Sequence, residues 1–396
     1  MKILLEANSL FPPRTGVGLS TERLIRCLAM DARIGEIHLL FSVFPLSRKW
    51  RSSLEAFAHT NKKITIHRLV LPLNILLKTW NVLDRPQIDR WIEGLDLIHG
   101  PAHVLPSAAR AASVFTVHDA SLFFHPEWYP PSAQGFAAGI ASGLEKADQV
   151  IVPSEFVRSQ LIQLNHHWAP KIKAVHHDLF FEGVFLSRLD KMNRRRELFG
   201  DDSPYILWVG EINPRKNVGM LFESLAAMRK RGFTQLKLIL VGSRGHRSVE
   251  FFSQAENMGL RLEFASSQAD FSEKDVIVFD YVPKKQLQEI YSAAEVFLFP
   301  SWDEGFGFPV LESMASGAPV VSSSAGALRE ICGDAASLVD PQDGCEAFCE
   351  ALEALLKDDS LYEAHREKGR RRVQDFQSGA MVDQTIAVYE QAISKQ

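Results

Sequence analysis

Cysteine is scarce in this sequence, which has four in 396 residues. Cys345 and Cys349 have the spacing of neighbours on one helix face, but no second cysteine or histidine pair completes the pattern of a zinc site. Disulfide frameworks are typical of small secreted domains rather than of a chain this long. The sequence therefore predicts reduced, packed thiols and no metal site.

Long apolar runs are also missing. No stretch of about 18 apolar residues occurs, so we expect no membrane-spanning helix. The first ten residues, MKILLEANSL, contain one lysine and a very short apolar run, which is not the pattern of a secretory signal. We therefore expect a cytoplasmic protein.

Neither sign of charge is in large excess. The 44 lysines and arginines against 48 aspartates and glutamates give a net charge of -4. That balance does not favour nucleic acid as the main partner. Residues 185–204 form a locally charged segment that we interpret as a solvated linker and helix, with nucleic-acid binding as the weaker alternative.

Short apolar runs alternate with helical patterns along both halves of the chain. Each run is rich in Val, Ile or Phe and ends in polar residues or glycine, which is typical of parallel strands with crossover helices. The predicted strands are 2–8, 37–43, 63–69, 96–100, 113–119, 149–154, 205–211, 236–242, 276–282, 296–301, 318–323 and 336–340. This rhythm predicts an α/β fold with two separate sheets.

The chain is long enough for two or three domains, and the break is expected in the charged segment. The predicted domains are residues 1–190 and 191–377. Residues from about 378 to 396 form a predicted helix, which packs on the second domain or crosses back to the first.

A glycine-containing loop, FPPRTGVGL (11–19), follows the first predicted strand and opens a helix. Gly16 and Gly18 would let backbone N–H groups approach an anion at the helix N-terminus. The loop fits a dinucleotide-binding fingerprint poorly, because Thr21 stands where the third glycine belongs. A plain turn remains the alternative.

Two further segments place polar residues after predicted strands, at the edge where α/β proteins bind ligands. Arg215 and Lys216 follow the strand 205–211. Such a pair suits a phosphate, because arginine can contact it with two hydrogen bonds and lysine adds a point charge. His118 and Asp119 stand at the carboxyl end of the predicted strand 113–119 and are a candidate site. A solvated basic turn and a structural histidine are the respective alternatives.

The segment SWDEGFGFPVLES (301–313) brackets a glycine-rich turn with two carboxylates, Glu304 and Glu312. Gly305 and Gly307 free the backbone, and Pro309 suits the first turn of a helix. Carboxylates accept hydrogen bonds from hydroxyls but repel phosphate. The expected ligand is therefore hydroxyl-rich and lies beside a phosphate, as a sugar or a ribose does.

These segments carry a family resemblance that covers nearly the whole chain. EGFGFPVLESMASGAPVV resembles the signature of retaining glycosyltransferases of family 4, in which two glutamates are separated by seven residues. PRKN, VHD and the GVG loop are similar to that family in the same order. The resemblance implies a GT-B fold, with two Rossmann-like domains facing each other across a cleft. Bacterial mannosyltransferases of O-antigen or capsule synthesis are similar over FPPRTGVG, VHDASLFFHPEWY and PRKN.

The resemblance also implies roles for individual residues in donor binding and catalysis. Glu304 would bind hydroxyls of the transferred sugar, Glu312 the nucleotide ribose, and Arg215 and Lys216 the diphosphate. His118 would lie against the donor sugar, with Asp119 in a second tier or near the acceptor. Backbone groups would supply the remaining contacts: Gly16 and Gly18 from the first domain, Gly305, Phe306 and Gly307 towards sugar and diphosphate, and Val282 towards the base.

Two departures from the family pattern stand out. Glu211 occupies a position where many members carry arginine, which puts more of the phosphate binding on Arg215 and Lys216. The asparagine-glycine turn that usually precedes the linker is absent from residues 175–185, so the crossover between the domains is expected to differ.

The implied reaction moves a sugar from a nucleotide donor, GDP-mannose by subfamily likeness, to a lipid-linked oligosaccharide with retention of configuration. No cofactor or metal is expected. A UDP-sugar donor and a non-catalytic nucleotide-sugar-binding protein are the alternatives within this fold. A glycoside hydrolase, which also uses two carboxylates, and an NAD-dependent oxidoreductase are the alternatives outside it.

Such an acceptor would bring the protein to the inner face of the cytoplasmic membrane. Residues 71–83, LPLNILLKTWNVL, are apolar and of helix length, and either touch the membrane interface or belong to the core. The basic run 365–372, HREKGRRR, is interpreted as a solvated helix face, with anionic lipid as an alternative partner.

Overall fold

The computed structural model describes residues 1–11, 16–42, 61–102, 104–265, 269, 273–377 and 379–396. Its contacts divide the chain into two units. The first comprises residues 1–124, 131–177 and 379–396, and the second comprises residues 125–130 and 178–378. The division falls between His177 and Asp178, ahead of the expected break in the charged segment.

Both units are built on a parallel β-sheet, as the apolar rhythm of the sequence predicts. The strands of the first unit are β1 (Lys2–Glu6), β2 (Glu36–Ser42), β3 (Ile64–Leu69), β4 (Leu97–Gly100), β5 (Ala112–Thr116), β6 (Gln149–Val152) and β7 (Ile172–Ala174). Those of the second are β8 (Tyr205–Val209), β9 (Lys237–Val241), β10 (Leu262–Ala265), β11 (Val276–Phe279), β12 (Val296–Phe299), β13 (Val320–Ser323) and β14 (Ser337–Val339). The central strands are buried on both faces, which explains their continuous apolar runs.

Helices lie between most consecutive strands, because neighbouring parallel strands need long crossover connections. In the first unit they are α1 (Gly16–Met30), α2 (Leu73–Leu83), α3 (Ser121–Phe124), α4 (Gln134–Lys146), α5 (Glu155–Leu164) and, at the C-terminus, α14 (Ala380–Ile393). In the second they are α6 (Arg188–Phe199), α7 (Val218–Lys230), α8 (Ser248–Asn257), α9 (Lys284–Ala293), α10 (Phe308–Ala315), α11 (Leu328–Cys332), α12 (Gly344–Lys357) and α13 (Asp359–Gln374).

The strand order creates one switch point in each sheet. The orders are β3-β2-β1-β4-β5-β6-β7 and β10-β11-β9-β8-β12-β13-β14. The chain leaves β1 in one direction and returns on its other side at β4, and it does the same at β8 and β12. In open α/β sheets ligands bind beyond the carboxyl ends of the strands at such points. Both units are therefore Rossmann-like, each with a place for a site.

The C-terminal helix α14 packs against the sheet of the first unit, which resolves the alternatives left by the sequence. Met381, Ile386, Val388 and Tyr389 of α14 join a core cluster with residues of β1, β2 and α1. The chain thus begins and ends in the same unit.

The charged segment at the predicted break contains the expected helix, α6, but is not simply solvated. Lys191 of α6 is fully buried, and its ammonium group donates to the backbone oxygens of Ala294 and Gly317 at 2.8 and 3.2 Å. Arg195 is also buried and forms an ion pair with Glu295 at 2.5 Å. These two cations therefore help to hold the second unit together, because donors on α6 satisfy carbonyls of the neighbouring loops.

The apolar segment 71–83 is both core and surface. It forms α2, in which Leu76 and Trp80 are buried in the first unit, whereas Ile75, Val82 and Leu83 are exposed. No helix among the described residues is long and apolar enough to cross a bilayer.

The basic run 365–372 lies on α13 and is only partly a solvated face. Arg366 is buried and donates to the backbone oxygens of Gly317 and Leu186. Arg372 donates to the backbone oxygens of Ile331 and Glu330. Two of its arginines are thus structural, which reduces the charge available to anionic lipid.

Candidate functional site

The loops after β8 and β12 meet at the switch point of the second sheet. The backbone N–H of Trp302 donates to the oxygen of Arg215 at 2.8 Å. Asn217 adopts a left-handed conformation (φ 52°) before α7, and its side-chain amide donates to the oxygen of Pro300 at 3.1 Å. Two segments far apart in sequence are thereby joined through their backbones, so their side chains occupy one place.

A buried ion cluster forms where these loops meet. The ammonium group of Lys216 lies 2.5 Å from one oxygen of Glu304, and the guanidinium group of Arg215 lies 3.1 Å from the other. Glu304 and Lys216 are 5% and 8% exposed. Arg215 also donates to the backbone oxygen of Asp303 at 2.8 Å. The three residues that the sequence assigned to sugar and diphosphate are therefore in direct contact.

The two cations keep Glu304 ionised in spite of its burial. Burial alone would raise its pKa, but the charges of Lys216 and Arg215 outweigh that effect and hold the pKa of Glu304 below its usual value. If one member of such a cluster is removed, the remaining buried charge is no longer fully compensated, which is destabilising. The cluster thus offers two fixed positive groups and one carboxylate that accepts hydrogen bonds.

A third loop, which follows β13 and was not expected in the site, packs against the backbone of Glu304. Gly326 follows β13 with a φ of +60°, and a Cβ atom there would lie 2.4 Å from the backbone nitrogen of Glu304. The N–H of Ala327 donates to the oxygen of Glu304 at 2.8 Å. Only glycine permits this close approach. The sequence AGAL after a strand was the available signal, but it does not reveal which loop it contacts.

The glycine-rich turn leads directly into α10. Gly307 takes a φ of +114° at the N-terminus of that helix, and Pro309 lies in its first turn, as expected. The ring of Phe306 is buried and packs against the ring of Phe376, with centroids 5.8 Å apart. Gly305 and Gly307 are buried as well. The turn is thus fixed beside Glu304.

Glu312 projects from α10 into a different environment. One of its oxygens accepts a hydrogen bond from the hydroxyl of Tyr291 at 2.8 Å. Burial raises the pKa of Glu312, and the Tyr291 hydroxyl only partly offsets this. The pKa of Glu304 is thus lowered and that of Glu312 is raised, so the two carboxyl groups lie in different electrostatic environments. Sequence reasoning missed Tyr291, which lies in the last turn of α9 and outside the segments that carry the motifs.

Val282 lies beyond β11, the second neighbour of β8 in the sheet, and is buried. Its predicted backbone contact to a base is not tested by these contacts and stays a prediction.

The remaining predicted residues lie in the first unit. Gly16 and Gly18 form part of the first turn of α1 rather than a preceding loop. Residues 12–15 of the FPPRTGVGL segment lie outside the described residues. The predicted anion contact of this helix N-terminus therefore stays a prediction.

His118 and Asp119 follow β5, as expected. The Nε2 atom of His118 lies 2.7 Å from the backbone oxygen of Pro101 and must donate to it, since a carbonyl only accepts. The rings of His118 and His177 stack with centroids 5.5 Å apart. Asp119 accepts hydrogen bonds from the backbone N–H and the hydroxyl of Ser121 at the start of α3. Asp119 therefore orders the chain that carries His118.

No group of three or more metal-ligating side chains occurs among the described residues. The reduced state expected for the cysteines agrees with the structure, in which all four are free.

Two family models match the chain and together cover most of it. A model described as Glycosyltransferase Family 4 matches residues 15–177, and one described as Glycosyl transferases group 1 matches residues 190–372. The first range includes His118, and the second includes the ion cluster and α10.

A full-length curated relative is the O-antigen chain mannosyltransferase B of Escherichia coli. It is 28% identical over 398 residues, which cover 98% of this chain and 100% of the relative.

Two solved structures share the fold at low identity. The sucrose-phosphate synthase of Thermosynechococcus elongatus has a TM-score of 0.74 at 20% identity, with complete coverage of both chains. Anabaena HepE, in complex with UDP and glucose, has a TM-score of 0.70 at 18% identity and covers 98% of each chain.

Proposed function

Since the chain belongs to the glycosyltransferases, with a family 4 domain followed by a group 1 domain, we propose that it transfers mannose from GDP-mannose. The acceptor in this proposal is a hydroxyl of a lipid-linked oligosaccharide in cell-surface polysaccharide synthesis. The full-length likeness to an O-antigen chain mannosyltransferase supports the choice of sugar and acceptor. Family membership also favours sugar transfer over the glycoside hydrolase and oxidoreductase alternatives.

The buried cluster of Glu304, Lys216 and Arg215 is the observation that carries the proposal. It lies at the carboxyl edge of β8 and β12, where α/β folds bind their ligands. A diphosphate needs fixed positive charge, and the neighbouring sugar needs hydrogen-bond acceptors. The cluster supplies both within one loop pair.

Donor binding would redistribute the hydrogen bonds of the cluster rather than build a new site. An ammonium group has three N–H donors and a guanidinium has five, so each cation can hold Glu304 and a phosphate oxygen together. Glu304 can accept from sugar hydroxyls with its remaining lone pairs. Glu312, held by Tyr291, is left for the ribose hydroxyls.

In the proposed chemical step the bond between the anomeric carbon and the phosphate oxygen breaks, and its electron pair moves to the diphosphate. The acceptor oxygen forms its bond to the same face of the anomeric carbon, so configuration is retained. The acceptor proton passes to the departing phosphate oxygen. Lys216 and Arg215 stabilise the charge that develops on the diphosphate, and no metal ion is required by this scheme.

The exposed face of α2 gives the proposal a place for membrane contact. Ile75, Val82 and Leu83 project from the surface while Leu76 and Trp80 anchor the helix in the core. Apolar side chains in this arrangement, with Lys78 exposed beside them, suit the boundary of a bilayer. Peripheral attachment at the inner face of the cytoplasmic membrane would bring the enzyme to a lipid-linked acceptor.

The test is transfer of radiolabelled mannose from GDP-mannose into lipid-extractable product, using the purified chain, EDTA and membranes that supply lipid-linked acceptors. We expect incorporation that is lost in Lys216→Ala. UDP-glucose serves as the competing donor, because a structure with the same fold contains UDP and glucose. Incorporation of label from UDP-glucose alone would overturn the choice of GDP-mannose as donor. If neither donor is used in EDTA but activity appears when Mg²⁺ is added, the proposed metal independence is overturned.

A further inference from the structure

A small cavity lies beside His118 in the first unit. Its lining includes three histidines, His99, His118 and His177, together with Met381 and Thr385 of α14. The cavity volume is about 20 Å³, room for roughly one water molecule. The C-terminal helix therefore reaches the surroundings of a residue assigned to catalysis.

A buried hydrogen-bonded chain connects α14 to the end of β5. The hydroxyl of Tyr389 lies 2.7 Å from Nδ1 of His99, and Nε2 of His99 lies 2.8 Å from the hydroxyl of Thr116. A hydroxyl can donate or accept, so both ring nitrogens are satisfied in either neutral tautomer. Tyr389 and His99 are completely buried. Burial lowers the pKa of His99 to about 3, which keeps this ring neutral.

His118 and the backbone oxygen that accepts its hydrogen bond each lie two residues after a member of this hydrogen-bonded chain. Thr116 precedes His118 by two residues on the same strand end. His99 precedes Pro101 by two residues, and the backbone oxygen of Pro101 is the acceptor for Nε2–H of His118. The contact between His99 and Thr116 therefore joins the two segments that fix the position and the tautomer of His118.

The close approach of the backbone leaves this region little freedom to compensate. A Cβ atom on Gly100, between His99 and Pro101, would lie 2.0 Å from the backbone oxygen of Val104. The segment that presents the Pro101 oxygen is therefore pressed against the chain that follows it. We therefore expect a displaced His99 to move the Pro101 oxygen, because the backbone between them has little room to adjust.

We propose that Tyr389 and His99 are positioning residues for His118, so that the C-terminal helix sets the orientation of the His118 ring. The catalytic consequence rests on the proposed function, in which His118 lies against the donor sugar. The positioning itself is a property of the first unit and can be measured without turnover. Neither Tyr389 nor His99 needs to touch the substrate.

The test compares Tyr389→Phe with Tyr205→Phe in the full-length chain. Tyr205 is a matched control, because its hydroxyl is equally buried and donates to the backbone oxygen of Ile290 in the second unit. Ring-nitrogen resonances are recorded on protein labelled with ¹⁵N-histidine, and the signals of His118 are assigned from a His118→Gln spectrum. We expect Tyr389→Phe and His99→Gln to shift the His118 signals, and Tyr205→Phe to leave them in place.

Kinetics supply the second readout. Displacing a catalytic group by about 1 Å can cost on the order of a hundredfold in rate, so we expect kcat of Tyr389→Phe to fall roughly ten- to a hundredfold. Affinity for GDP should stay within about twofold, since Lys216, Arg215 and Glu312, which are assigned to the diphosphate and the ribose, lie in the second unit. We do not expect a small change of temperature or buffer to return the His118 signals of Tyr389→Phe to their wild-type positions.

Unchanged His118 resonances in both Tyr389→Phe and His99→Gln would overturn the proposal, whatever the kinetics show. Shifted resonances with unchanged kcat would overturn its catalytic part. If the wild-type chain proves inactive with every donor, the proposed function fails, but the resonance comparison still decides the positioning.

Discussion

Replacing Lys216 with alanine removes one of the two cations assigned to the departing diphosphate. Lys216 is 8% exposed and its ammonium group lies 2.5 Å from Glu304, so the charge is preorganised and poorly screened. Removing one preorganised stabilising group from an active site typically costs ~3–4 kcal/mol in the barrier. That corresponds to a decrease in kcat of roughly 100- to 1,000-fold.

The same substitution should cost much less in stability. Arg215 remains 3.1 Å from Glu304, so the carboxylate keeps one positive partner. Complete loss of charge compensation in a buried pair costs about 3–5 kcal/mol, and we expect the free energy of unfolding to fall by less than that. The assays are steady-state transfer from GDP-mannose and urea unfolding monitored by circular dichroism.

Lys237→Ala is the matched control. Lys237 is 7% exposed and begins β9, at the opposite edge of the same sheet. Its ammonium group donates to the backbone oxygen of Lys274. Its loss should lower stability and leave kcat nearly unchanged. If Lys216→Ala keeps kcat within about threefold of wild type, the assignment of the cluster to the diphosphate is refuted, because a preorganised charge cannot be dispensable for charge stabilisation.

Three other predictions test separate parts of the account. Gly326→Ala should push the backbone of Glu304 away and lower kcat roughly tenfold or more, and an unchanged rate would show that this loop does not position Glu304. Tyr291→Phe removes the hydroxyl bound to Glu312 and should weaken GDP binding roughly tenfold by calorimetry, with Tyr205→Phe as the control. Burial lowers the pKa of His99 to about 3, so the unfolded chain binds the extra proton below pH 6.5. Stability is then lost as pH falls, by about 2 kcal/mol at pH 5, and His99→Gln should flatten the pH dependence of urea unfolding by that amount.

Every central strand was predictable, whereas two of the four edge strands were not. A strand such as β9 is buried on both faces and therefore reads as a continuous apolar run, KLILV. The strands β7 (Ile172–Ala174) and β10 (Leu262–Ala265) were missed. Both are short, with a charged residue inside the strand (Lys173 and Glu263) and partly exposed side chains, so neither reads as a continuous apolar run.

Long-range polar contacts were the main feature that the sequence could not show. Glu304, Arg215 and Lys216 were all assigned to the site, but their mutual ion pairing depends on two loops separated by nearly a hundred residues. Tyr291 and Gly326 were missed for the same reason, since each acts on a glutamate from another element. The charge of Lys191 was read as solvated, because its backbone partners become neighbours only in the fold.

The family resemblance supplied what local pattern reasoning could not. It connected Glu304 and Glu312 to the sugar and the ribose, and the comparisons confirm the family. The structure adds that the pKa of Glu304 is lowered and that of Glu312 is raised, whereas the roles of the two carboxyl groups stay predictions. The identity of the nucleotide and of the sugar stays a proposal, supported by a 28% identical mannosyltransferase.

Calorimetric titration of the purified chain with GDP and with UDP, both in EDTA, tests the central claim most directly. The account predicts saturable binding of GDP, weaker binding of UDP, and loss of GDP binding in Lys216→Ala. Binding of GDP that is unaffected by Lys216→Ala would contradict the assignment of the buried cluster to the diphosphate. Preference for UDP would contradict the proposed donor, and binding of neither nucleotide without a divalent metal would contradict the metal-independent site.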